Sequence, residues 1–143
     1  MRIFWGEWNF WSIVIGLVVT ILIFLPFLFL LRKTLLLMNR NNQKLPSRSI
    51  WFLIFPYVGP FYLLFLTIRF SRSVDMEMQD RGIVRNTYFL RATGILHALL
   101  SIYVIFFSPG MIVGIIAISS FIMFWVEVKR IYKLLVANDK NKD

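Results

Sequence analysis

Apolar residues in this chain come in long blocks with the charges gathered between them, a pattern that suits helices facing lipid. The first block, residues 10–31, predicts a helix bent at Pro26, whose ring displaces the bond to the Leu22 carbonyl. The second, residues 50–68, carries Pro56, Gly59 and Pro60 at its centre and predicts a broken element. The third and fourth, residues 92–107 and 110–127, are parted only by "SPG". They predict a tight helical hairpin at the lower limit of spanning length.

The segments between the blocks have their own character. "MRIFWGEWNFW" interleaves Trp5, Trp8 and Trp11 with Phe4 and Phe10, as an anchor at the headgroup level would. Residues 32–49, "RKTLLLMNRNNQKLPSRS", form a basic loop without an acid, with turn-forming asparagines and Pro46 as a helix stop. In residues 69–91, Phe70, Val74 and Met78 make an apolar stripe on an otherwise charged helix. Glu77 and Arg81 stand in the favourable i,i+4 order, and Gly82 suits the position after a helix end. This predicts a short amphipathic helix lying against the membrane face or a partner. Residues 128–143 read as a basic tail that frays after Ala137.

Composition then fixes the class. Of 143 residues, 59% are hydrophobic and 16% charged, too little charge for a soluble domain. The expectation is an all-α membrane protein of one domain with four apolar helical segments. Residues 1–31 do not read as a cleaved signal, because Glu7 interrupts the start and no small-residue cleavage site follows. The absence of cysteine excludes disulfides and thiolate sites. A net charge of +9 fits basic loops beside anionic lipid better than nucleic-acid binding.

Charge also bears on whether residues 50–68 cross. Of sixteen Lys and Arg, the amino terminus holds one, and the first loop, residues 69–91 and the tail hold five each. If all four segments span, the best arrangement leaves five basic residues outside. If the second segment is re-entrant, only Arg2 is outside and the carboxy terminus is cytoplasmic. The two prolines also suit a hairpin that turns within the bilayer, although a kinked spanning helix remains the alternative.

The stretch "IFPYVGPFYLLFLTIRFSRSVDMEMQDRGI" resembles one found in an uncharacterised family of small bacterial integral membrane proteins, and the closing "FWVEVKRIYKLLV" is similar to the ending of the same proteins. The resemblance covers about half of the chain, residues 54–83 and 124–136, and does not extend to the first block or the basic loop. It implies a bacterial inner-membrane location and nothing catalytic.

Candidate chemistry is sparse. His97, the one histidine, is a candidate proton relay or gate, but no second titratable group lies in an apolar block, so a neutral imidazole bonded to a neighbouring helix is the preferred reading. A hydrolytic pair with Ser101 would need oxyanion donors that nothing signals. Asp75, Glu77 and Asp80 read as a solvated helix face rather than a cation site. Arg91 and Glu127 fall at one depth of the hairpin and could pair at the cytoplasmic boundary. No catalytic, cofactor or metal residue is expected.

The strongest signal is small residues at helical spacing: Ser12, Gly16 and Thr20; Gly94, Ala98 and Ser101; Gly110, Gly114 and Ala117. Such stripes let helix backbones approach in lipid. In the hairpin Ala98 should face Ser120, Ser101 face Ala117, and Val104 face Gly114, with Phe106, Phe107, Phe121 and Phe124 left for lipid or other segments. The expected function is a non-enzymatic membrane subunit that self-associates or joins another membrane protein. A small channel or pore-forming effector, for example in stress or phage defence, is the alternative. A coupled transporter ranks below both, for want of an intramembrane carboxylate.

Overall fold

A computed structural model describes residues 10–55, 58–107 and 110–140, and their side chains except at 10–13, 16, 17, 19, 20 and 140. The predicted tryptophan anchor at Trp5, Trp8 and Trp11, the hinge residue Pro56, the Ser108–Pro109 turn and the side chains of Ser12, Gly16 and Thr20 lie outside the described residues. The described residues are helical, without a strand: α1 (Phe10–Leu36), a 3-10 helix (Ser47–Ile54), α2 (Val58–Asp80), α3 (Tyr88–Phe107) and α4 (Met111–Lys140). Two of these, α3 and α4, are long and apolar enough to cross a membrane.

Four predicted boundaries need correction: α3 starts at Tyr88 rather than at residue 92, and the other three share one physical reason, a buried stripe that carries the helix past its charges. α1 continues beyond residue 31 to Leu36, because Leu28, Leu31 and Leu35 keep one face buried while Arg32 and Lys33 point outward. The separate amphipathic helix does not exist. Residues 69–80 are the second half of α2, and Phe70, Val74 and Met78 lie in the core rather than on a membrane face. α4 runs through the expected basic tail to Lys140, with Phe124, Val128, Ile131 and Leu135 fully buried at alternating three- and four-residue steps.

Residues 50–68 do break. The 3-10 helix ends at Phe55, whose backbone is extended (φ −74°, ψ 120°), and α2 starts with Pro60 in its first turn, where a missing N–H costs no helical bond. The two pieces pack antiparallel. At one end the Lys44 N–H donates to Ser73 Oγ at 2.9 Å; at the other, Gly59 meets Leu53 so closely that a Cβ on it would sit 2.6 Å from the Leu53 carbonyl oxygen. Only glycine allows that approach. The far end of α2 closes as the glycine at residue 82 suggests. Gly82 has φ 67°, its N–H donates to the Gln79 carbonyl at 3.0 Å, and the Ile83 N–H reaches Met78 at 2.8 Å, which is a Schellman closure.

The elements form a ring. α1 packs on α4, α4 on α3, and α3 on α2, while the 3-10 helix lies between α2 and α1. One end of the ring is filled by the fully buried stripes named above. The other end encloses a cavity.

Candidate functional site

Every element lines this cavity of about 750 Å³: Ile21 to Leu28 of α1, Leu53 to Phe55, Gly59 to Leu63 of α2, His97 to Ile105 of α3, and Ala117 of α4. Leu28, Leu63 and His97 are buried and form its closed end, whereas Ile54, Phe55 and Val104 are exposed and edge its mouth. The polar side chains in its wall are those of His97 and Ser101.

His97 is held by α4. Its Nδ1 lies 3.2 Å from the Ala117 carbonyl oxygen and 3.4 Å from Ser120 Oγ, and its ring packs 5.0 Å from that of Phe121. A carbonyl only accepts, so Nδ1 carries the proton and Nε2 presents a lone pair. Nε2 is buried with no partner among the described residues, as is Thr67 Oγ1. Ser101 donates to the His97 carbonyl at 2.8 Å, so its proton goes to backbone and not to the imidazole. No Ser–His nucleophile is assembled.

The imidazole also enters the expected small-on-small seam. At the turn where Ser101 should meet Ala117, His97 reaches across to the Ala117 carbonyl. Close approach is confined to the turn nearer the filled end. A Cβ on Gly94 would lie 2.5 Å from Thr67 Cγ2 and 2.8 Å from Phe124 Cε2, and Ala98 is fully buried. Around Gly110 and Gly114 a Cβ would meet nothing within 4 Å, so the Val104–Gly114 contact is not tight. Phe106 and Phe107 are exposed, while Phe121 packs on Phe24 and Phe27 of α1, with ring centroids 4.9 and 5.1 Å away.

At the filled end the charges are built into the fold. Glu77 accepts from Asn42 Nδ2 at 2.8 Å, the Asn39 N–H at 2.9 Å and Arg81 Nε at 2.7 Å. Burial alone would raise its pKa, but the bonds from Asn42, Arg81 and Asn39 outweigh it and hold the carboxyl below its ordinary value. The Arg81 guanidinium also reaches Asp139 at 2.5 Å and the carbonyls of Leu37 and Leu135 at 2.8 and 3.2 Å, joining the ends of α1, α2 and α4. The Glu77–Arg81 pairing follows the predicted spacing, but Glu77 is buried rather than on a solvated face. The expected Arg91–Glu127 pair is absent. Arg91 binds Asp75 at 3.1 Å and Ser71 at 2.9 Å, while Glu127 takes Arg85 at 2.8 Å and Arg130 at 2.7 Å. Each of the two side chains is taken by other partners.

Sequence reasoning missed the Asn42–Glu77–Arg81 hub. Its one legible sign was an acid-free, asparagine-rich loop in a chain whose acids cluster at the end of α2. Comparison with family models, with curated proteins and with solved structures finds no match. The site therefore has to be interpreted from its own chemistry.

Proposed function

We propose that this chain is a multi-pass integral membrane protein of the bacterial inner membrane, acting as a non-enzymatic subunit that self-associates or docks with another membrane protein. The observation that carries the reading is the separation of surfaces. The ion pairs gather at one end, and beyond them Phe106, Phe107, Met111, Ile112 and Ile118 form an exposed apolar surface that water would not tolerate. The fold-back of residues 47–80 supports a re-entrant second segment with all basic loops cytoplasmic beside anionic lipid. Among the described residues the cavity wall has His97 and Ser101 as its polar side chains and no charged ring of the kind that lines an ion path.

The test uses the natural lack of cysteine. A single Ile112→Cys variant, exposed at the start of α4, should cross-link into dimers on oxidation in membranes, or be captured with a second membrane protein in mild detergent. A monomer without partners, or ion flux in proteoliposomes, would overturn the subunit reading.

A further inference from the structure

We propose that the His97 cavity binds a single-chain amphiphile through a neutral hydroxyl donor, such as that of a long-chain alcohol, given to Nε2 of His97. This goes beyond the subunit reading and does not require self-association. The cavity volume of about 750 Å³ lies within the roughly 300–1,000 Å³ usual for small-molecule sites. Its wall is aliphatic and aromatic along Leu25, Leu28, Leu63 and Ile105, which suits an alkyl chain. Its mouth is edged by the exposed Ile54, Phe55 and Val104, so on the membrane reading proposed above a chain enters from lipid without crossing water.

The polar half of the ligand follows from the tautomer. Nδ1–H is committed to the Ala117 carbonyl, and Ser120, the other polar group near Nδ1, gives its own proton to the same carbonyl at 2.8 Å. Nε2 is left as a buried acceptor, which is costly unless a donor arrives. Thr67 Oγ1, another buried atom without a partner among the described residues, makes no bond to it. An ester or ether oxygen cannot fill this need and a hydroxyl can. Because Nε2 is buried, engagement requires the ring to tilt about its Nδ1 contact.

His97 is the single histidine, so ¹⁵N-histidine labelling reports this ring alone. The full chain in phosphatidylcholine nanodiscs, whose lipid has no hydroxyl donor, is titrated with 1-dodecanol and with its methyl ether at equal membrane mole fraction. The alcohol should move the Nε2 resonance saturably, with an apparent affinity roughly five- to tenfold tighter than that of the ether. Val104→Trp, which blocks the mouth and leaves the imidazole intact, should abolish the saturable shift. Equal response to alcohol and ether, or an alcohol shift that does not saturate or that persists in a folded Val104→Trp, would overturn the proposal. The comparison of alcohol with ether in the unmodified protein decides the matter even if the variant does not fold.

Discussion

Thr67 and Gly94 meet on the α2–α3 seam, and each makes its own energetic prediction. The Thr67 hydroxyl is buried without a partner among the described residues, so Thr67→Val, nearly its shape, should stabilise the fold by about 1 kcal/mol in reversible detergent unfolding. Gly94→Ala should instead cost roughly 1–3 kcal/mol, because the added methyl runs into Thr67 and Phe124. Gly114→Ala, with open space around it, should be neutral or slightly stabilising in the same assay. The sequence showed both glycines in similar stripes. It could not show that Thr67 and Phe124 would crowd one glycine while the other stays free, since that depends on which helix faces are turned inward. Glu77 adds a pH dependence. Its carboxyl is held below the ordinary 4.5, so its contribution is complete above that value and is lost as pH falls through the folded-state pKa. The stability gap between the unmodified protein and Glu77→Gln should therefore be full at neutral pH and close in acid.

Helix existence was legible from the apolar blocks, and so was the glycine-closed end of α2, but the ends marked only by charge were not. Arg32, Lys33, Lys129 and Arg130 looked like boundaries because charge usually marks the edge of a lipid-facing helix. Here each sits on the outer face of a helix whose inner face stays apolar for another turn or more, so the stripe and not the charge decides where the helix stops. The break in residues 50–68 was readable because proline and glycine act through local backbone chemistry. Its antiparallel fold-back can be tested by sidedness. Single cysteines at Asn41 and Val84, both exposed, should label from the same side of the membrane. Opposite-side labelling would mean that the second segment spans.

Across the whole molecule, packing is graded from one end to the other. The end with the ion pairs is filled by Phe70, Val74, Phe124, Val128 and Ile131, and the end with the cavity holds most of the exposed aliphatic surface. The Arg81 hub binds these parts over a long stretch of chain. Its bond to the Leu135 carbonyl spans 54 residues and that to Asp139 spans 58. At a synthesis rate of roughly 5–20 residues per second, Arg81 waits about 3–11 seconds before Leu135 has been made. During that interval Leu37 and Glu77, made earlier, are available to the guanidinium, while the α4 partners are not. The knot at the end of the ring is thus also a clock. It can be tied only after the last helix has been translated almost to its end, and a ribosome that stalls before Leu135 leaves a nascent chain with an unfinished cap.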